Sequence, residues 1–359
     1  MWIALGLNNL LMNSNKQTDN PKYEGGPSRS WDSNLAEWIP GSEKYCLFCG
    51  AGFSKWAIGL PTAYELFDFN IKTYGPRENV KLNQIRNQKQ IWDMNHPVME
   101  AEDFIAFLLD QSVKTKKLVT WYIARRLAEP FIERTSYFET NFKTGARGRR
   151  IFGINDRKKF QVNGIKKAES FFNNLPWQNL EGILTTNYDL VIEYALGTKR
   201  FFYGDRPRLL HGPPRAYTTA AKQRYPVYLT GKIPIAKLHG SISLTEKGYC
   251  ADGRGCITGK AIIIPPAHNK KISDSLTNEW AYARNILKQS KIIVFFGFRF
   301  NSYDRELMDL FTETVPWIQK IILINPNPEI KLLAEKIWPS AEIKWIPPDQ
   351  LYEDLNNYL

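Results

Sequence analysis

Long apolar runs are missing from this chain. No window approaches the roughly 18 uninterrupted apolar residues of a membrane-spanning helix, so no membrane span is expected. Cysteine is scarce: Cys46, Cys49, Cys250 and Cys256 are the whole complement of 359 residues. That is too few for a disulfide framework, and a reducing, cytoplasmic setting is the expectation. The opening residues, MWIALGLNNLLMN, lack a basic region and are broken by Asn8, Asn9 and Asn13. No small-residue cleavage site follows, so no signal peptide is read there. No internal repeat is visible, and a repeat architecture is not expected.

What is present describes a folded domain. Hydrophobic residues make up 43% and aromatics 13%, enough to build a core and too much for a disordered chain. The formal charge of +12 suits an anionic partner, whether nucleotide, nucleic acid or acidic protein surface.

Residues 13–30 are rich in Asn, Gly, Pro and Ser and read as an arm, followed by a short amphipathic helix over 31–39. A strand is predicted at 45–49. From 63 to 180 apolar residues recur at three- and four-residue spacing, as in AEDFIAFLLDQSV and KLVTWYIARRLAEPFIER, which predicts a mainly helical insertion. Within it, KTGARGRRIFGINDRKKF (143–160) has few apolar anchors and reads as an exposed basic loop. Its charge suits nucleic acid, and equally a solvated basic face.

Short β-branched runs follow at 183–186, 201–203, 234–238, 261–264, 291–296, 320–324 and 342–345. Several are continuously apolar, as strands buried on both faces of a parallel sheet are. The expected fold class is α/β: a doubly wound, mostly parallel sheet with a helical insertion. Residues 1–40 form the arm and its helix in this reading, and 41–359 the main domain.

The stretch YCLFCGAGFSKWAIGLPTA (45–63) admits three readings: half a zinc site, a phosphate cradle, or a plain strand–turn–helix. Cys46 and Cys49 stand three apart in a strand and point to opposite faces, so small buried apolar residues are the better account and no metal is expected. The glycines permit close approach of a pyrophosphate to a helix N-terminus, and they equally serve packing.

Four more strand ends carry glycine or polar residues. Asn187 and Asp189 follow ILTT, where they suit helix capping or a ligand at the carboxyl edge of a sheet. His239 and Gly240 end IAKL, and an imidazole there suits general-base work or a structural hydrogen bond. Gly297 ends IIVFF and Asn325 ends IILI, with Asp304 at the start of a further helix. The acidic cluster Glu100, Glu102, Asp103 and Asp110 reads as a helix's first turn, which the dipole favours, before it reads as a site. His96, His211 and His268 have no evident partners, and only His268 is kept, as a pocket-rim candidate.

GAGFS…GLP, TTNYD, KLHGSI and FFGFRF, in this order and at strand ends, resemble the sirtuin superfamily. The similarity is greatest to its divergent bacterial branch, the sirtuin-like NAD hydrolases of anti-phage defence. It covers about 45–61 and 180–325 and implies a Rossmann-like fold with NAD+ as substrate. By motif, Gly50, Ala51, Gly52 and Ser54 would line the dinucleotide loop, with Thr186, Gly297, Phe298 and Asn325 as further dinucleotide contacts. Asn187 would hold the water and a ribose hydroxyl, Asp189 would position the carboxamide, and His239 would accept the proton.

Two departures from the family weigh against acetyl-lysine peptides as substrate. Pro61 is followed by Thr62-Ala63-Tyr64-Glu65 where the family places a Phe-Arg pair. Only Cys250 and Cys256 fall where it carries a four-cysteine zinc module, so no zinc is expected. The resemblance thus implies an NAD+ glycohydrolase. It implies a homo-oligomer gated by a partner such as a HerA-like ring ATPase or a short Argonaute, with nucleic acid engaged indirectly. The alternatives are a protein deacylase or ADP-ribosyltransferase, and a non-catalytic NAD or ADP-ribose sensor.

Overall fold

The computed structural model describes residues 39, 42–71, 76–96, 100–133, 150–151, 165–197, 199–204, 209–210, 227–250, 260–267, 272–301 and 303–351. The arm, its helix up to residue 38, His211, Cys256, His268 and all of the basic loop except Arg150 and Ile151 lie outside the described residues.

Seven strands form one sheet: β1 (Tyr45–Cys49), β2 (Leu180–Thr185), β3 (Phe201–Phe202), β4 (Ile233–Lys237), β5 (Ile292–Phe296), β6 (Lys320–Ile324) and β7 (Glu342–Ile346). Their order is β7-β6-β5-β1-β2-β4-β3. Every pairing is parallel. The protein is therefore an α/β, doubly wound, Rossmann-like fold. All five residues of β1 and of β5 are buried, as central strands covered on both faces must be. β7 is at the edge, and its residues, Glu342 outermost, stay largely within reach of water.

The alternation of side chains along the strands divides the core in two. Phe48 and its register partner Phe295 share one face with Phe298, Phe311 and Trp338. Phe311 belongs to helix α8 (Arg305–Thr314), introduced here with its chain neighbours α7 (Thr277–Gln289) and α9 (Ile330–Ile337). On the opposite face Phe296 meets Phe53 and Trp56 of α1 (Ala51–Ile58) and Phe171 of α5 (Ile165–Asn173). Edge-to-face rings fill this core with little polar content.

Between α1 and α5 the chain runs through a 3₁₀ turn (Ala63–Asp68), α2 (Pro76–Asn95), α3 (Ala101–Gln111) and α4 (Val113–Ala128). Sequence signals set these boundaries. Ser112 caps α4 by accepting from the Thr115 amide at 3.1 Å. Glu100 and Asp103 form a reciprocal capping box on α3. The 3₁₀ turn is tied to α4 by a two-pronged Arg126–Asp68 pair, 2.8 Å at Nε–Oδ1, and by the Tyr122 hydroxyl on the Leu66 carbonyl at 2.7 Å.

One predicted strand is not in the main sheet. Within 261–264, only Ile262–Ile263 is extended, and it pairs antiparallel with Gly240–Ser241. An apolar run states that a strand is buried, not which strand it joins. Here the chain turns back at Gly240 (φ 84°), and a Cβ on that residue would stand 2.1 Å from the Ile262 carbonyl oxygen. Among the described residues no helix is long and apolar enough to cross a membrane.

Candidate active site

Chain order reverses direction at β1: β2, β4 and β3 lie to one side of it, and β5, β6 and β7 to the other. Crevices at the carboxyl ends of such strands are where doubly wound sheets bind ligands. The crevice here is built from two interlocked turns. The amides of Gly50 and Gly52 donate to the carbonyls of Phe296 (2.9 Å) and Gly297 (2.8 Å). The Gly297 amide donates to Ile324 at 2.8 Å. Gly297 is left-handed (φ 61°), and a Cβ there would stand 2.2 Å from the Phe53 nitrogen. A Cβ on Gly50 would meet the Gly297 oxygen at 2.5 Å. The glycines therefore let two loops pack on each other, and of the two roles open to them packing is the one the contacts demonstrate. The Gly52 and Phe53 amides of α1 are spent inside the protein, the latter on the Gly50 carbonyl at 3.0 Å.

At the end of β2 the Thr185 hydroxyl donates to the Cys49 carbonyl at 2.7 Å and locks the two strand ends together. Two residues later, Asn187 and Asp189 have separate tasks. Asp189 does what capping predicts: its Oδ1 accepts from the Val191 amide, at 2.9 Å, where α6 (Val191–Leu196) begins. Asn187 caps nothing. Its Nδ2 reaches across to the Gly50 carbonyl (2.8 Å) and the Ser54 hydroxyl (3.0 Å). Ser54 also stands near enough to the Asp189 carboxylate to act against its upward pKa shift, and all three side chains are buried. With both Nδ2 hydrogens committed, the remaining valence of the Asn187 amide is its Oδ1, an acceptor. Burial pushes the Asp189 carboxyl above its ordinary value, partly opposed by the charge of Lys237. That lysine, inside β4, pairs with Glu193 of α6 at 2.8 Å, and Tyr203 donates to the same carboxylate oxygen at 2.9 Å. Its Nζ also holds the Asp189 carbonyl.

His239 follows β4. Its carbonyl accepts from the Ile264 amide at 2.8 Å, so the small hairpin fixes its backbone. Its Nε2 lies 2.8 Å from Oδ2 of Asp304, and only 4% of the histidine and 5% of the aspartate is exposed. Asp304 stands on the loop after β5, at the start of α8.

These strand ends open on one cavity of about 1080 Å³, just above the roughly 300–1,000 Å³ usual for ligand sites. Asn187, Asp189 and His239 line it. So do Ala51, Gly52, Ser54 and Thr186, and, on the far side of the switch point, Gly297, Phe298 and Asn325. Gly50 does not line it and stands behind Asn187 as a hydrogen-bond acceptor. The Phe298 ring is buried among Phe48, Phe300 and Phe311. Asn325 donates to the Phe298 carbonyl at 2.9 Å and accepts from the Asn327 amide.

Three lining residues carried no site role in the sequence reading. Asp304 showed only a helix-start signal. Glu102 belongs to the acidic cluster; Glu100 and Asp103 serve the helix start, whereas Glu102 is buried and borders the cavity. Arg299 crosses the cavity mouth to the Tyr64 hydroxyl and ring, joining the β5 loop to the 3₁₀ turn. His96 stacks on Trp92 at 3.8 Å and is absent from the cavity lining. Cys46, Cys49 and Cys250 are buried, and none of the three is in a disulfide. Among the described residues no three potential metal ligands cluster.

A family model described as a SIR2-like domain matches residues 181–346. This span runs from β2 to β7 and excludes the glycine turn after β1. No curated protein matches the chain. Solved structures that resemble it include a Sir2 enzyme studied for its mechanism and regulation (11% identity, 90% of this chain and 95% of that one, TM-score 0.39). Another is Sir2Tm bound to a propionylated peptide (12% identity, 88% and 92%, TM-score 0.39). A third is a mutant Sir2 homologue in complex with ADP-ribose (14% identity, 91% and 96%, TM-score 0.38). Scores of this size carry no argument, and the fold rests on the sheet order described above.

Proposed function

We propose that the chain is an NAD+ glycohydrolase, cleaving NAD+ to nicotinamide and ADP-ribose. The observation that carries this reading is the orientation of Asn187. Its amide nitrogen is tethered to Gly50 and Ser54, which presents its Oδ1 as an acceptor to the cavity that His239 and Asp189 also line. An acceptor and an imidazole on one wall suit the capture and activation of a water.

The bond at stake joins the nicotinamide nitrogen to C1′ of the ribose. Positive charge develops on the sugar as it breaks, as in other glycosyl transfers. The departing ring is already cationic, so no acid is needed to expel it. The protein's tasks are to orient, to exclude bulk water and to take one proton. Asn187 holds the water and a ribose hydroxyl, His239 takes the proton, and the buried Asp189 faces the carboxamide. The interlocked glycine turns, Thr186 and Asn325 border the rest of the dinucleotide. The match to a SIR2-like domain over 181–346 supports the same reading.

The anti-phage role is part of this proposal and rests on the sequence resemblance. An ungated hydrolase of NAD+ would starve its own cell, so the chain acts as the effector of a homo-oligomeric assembly with a HerA-like ATPase or an Argonaute-type partner. The test is to incubate purified protein with NAD+, alone and with such partners plus DNA, and to follow free nicotinamide. Nicotinamide and ADP-ribose in equal amounts are expected. Intact NAD+ with retained binding would make the chain a sensor. O-acetyl-ADP-ribose formed with acetylated peptide would make it a deacylase.

A further inference from the structure

We propose that Asp304 is a positioning residue for His239, fixing its ring so that the basic nitrogen serves the cavity. The catalytic part of this inference rests on the glycohydrolase reading; the pairing rests on geometry alone. The two residues come from different strand ends, His239 after β4 and Asp304 after β5, and meet at 2.8 Å between Nε2 and Oδ2. Both are at least nine-tenths buried and both line the cavity.

The ordinary reason for an aspartate at a helix start does not apply. Asp304 occupies the N-cap position of α8, yet its side chain makes no cap hydrogen bond. The backbone alone serves the helix there, with the Met308 amide on the Asp304 carbonyl at 3.0 Å. The carboxylate is turned to the histidine instead. Losing a cap costs about 0.5–2 kcal/mol of helix stability, so this placement calls for another role.

The contact has an ion-pair distance but is not aligned as a hydrogen bond at Nε2. A carboxylate this close still favours the ring proton on Nε2 by charge, which leaves Nδ1 as the basic nitrogen. In hydrolysis the water oxygen bonds to C1′, the C1′–nicotinamide bond breaks, and nicotinamide leaves neutral with the bonding pair. One proton from the water passes to Nδ1. The imidazolium so formed faces the Asp304 carboxylate across 2.8 Å, and the proton later returns to bulk water. The same division of labour, with a carboxylate that orients and a histidine that moves the proton, operates in hydrolytic triads.

The test uses the full chain, with D304N, D304A, H239A and the double variant H239A/D304N. Nicotinamide release gives kcat and KM, titration with ADP-ribose gives binding, and ¹⁵N spectra report the ring tautomer of His239, one of only four histidines. For D304N the expectation is a kcat lower by about 10–10³-fold with KM within about threefold. In the H239A background D304N should change kcat by less than about twofold, because a residue acting through another is silent once that other is gone. An equal loss in both backgrounds would overturn the assignment. Should wild-type protein release no nicotinamide, the glycohydrolase reading fails, and the spectra still decide the pairing. Wild-type His239 found as the Nδ1–H tautomer, or ring shifts unchanged by D304N, would refute it. The wild-type spectrum serves even if no variant folds.

Discussion

Truncating Asn187 to alanine separates its chemical role from its structural one. The substitution removes two hydrogen bonds, to the Gly50 carbonyl (2.8 Å) and the Ser54 hydroxyl (3.0 Å). Each buried bond contributes about 0.5–1.5 kcal/mol net. The Gly50 carbonyl is not orphaned, since it still accepts from the Phe53 amide at 3.0 Å, and the Ser54 hydroxyl keeps the Asp189 carboxylate as a polar neighbour. The stability loss is therefore expected at about 1–2 kcal/mol, within the roughly 5–15 kcal/mol of a typical native protein. The catalytic loss is larger. Without Oδ1 the water is no longer held, and misplacement of that kind costs about 10²-fold or more, some 2.7 kcal/mol of barrier. Asn187→Ala should thus denature slightly early, keep ADP-ribose binding within about tenfold, and release nicotinamide at least about 10²-fold more slowly. Asn187→Asp should be less stable than the alanine variant, because it sets an anionic oxygen against the Gly50 carbonyl and beside Asp189. Chemical denaturation, calorimetric titration and chromatographic detection of nicotinamide measure the three quantities. Turnover within about threefold of wild type, or an alanine variant that does not fold, would refute this account.

Gly297→Ala forces a side chain into the left-handed region, at about 1–2 kcal/mol, and against the Phe53 nitrogen at 2.2 Å. A loss above about 3 kcal/mol in urea denaturation, with weakened ADP-ribose binding, is expected. Lys237→Met leaves the fully buried Glu193 without its cation, costing about 3–5 kcal/mol by thermal or urea unfolding, while Lys237→Met/Glu193→Leu should recover much of it. Burial raises the Cys46 thiol to about 12, so the unfolded chain releases that proton first. This group's contribution is full below pH 9 and is lost as pH rises from 9 towards about 12. Urea midpoints between pH 9 and 11 should then fall more steeply for wild type than for Cys46→Ala, and peptide mapping should find Cys46 and Cys49 unlabelled in native protein at pH 8.

The legible parts of this protein are those written locally. YCLFC, IIVFF and KIILI announce buried strands because a parallel sheet flanked by helices demands unbroken apolar runs, and their polar followers mark the sheet's carboxyl edge. AIII has the same composition but joins a hairpin behind His239, because a turn at Gly240 decides its partner. Lys237 went unremarked because one lysine in an apolar run looks like an interruption, and only the fold sets Glu193 beside it. Asp304 and Glu102 sit at helix starts where acids are ordinary. Their orientation into a cavity depends on chain segments far away in sequence, and no spacing rule encodes that.

The central strand also sets a timetable. β1 lies between β2 and β5, so Tyr45 pairs with Leu180 on one side and Ile292 on the other. A ribosome adding about 5–20 residues per second needs on the order of 10–50 s after making β1 before its second neighbour exists. For that interval an oily, hydrogen-bond-hungry ribbon waits without its sheet, and long-range pairing is slow to form once it can. The nascent chain is therefore a natural client for chaperones. Brisk synthesis in their absence should yield inclusion bodies, and slower translation or cooling should restore yield.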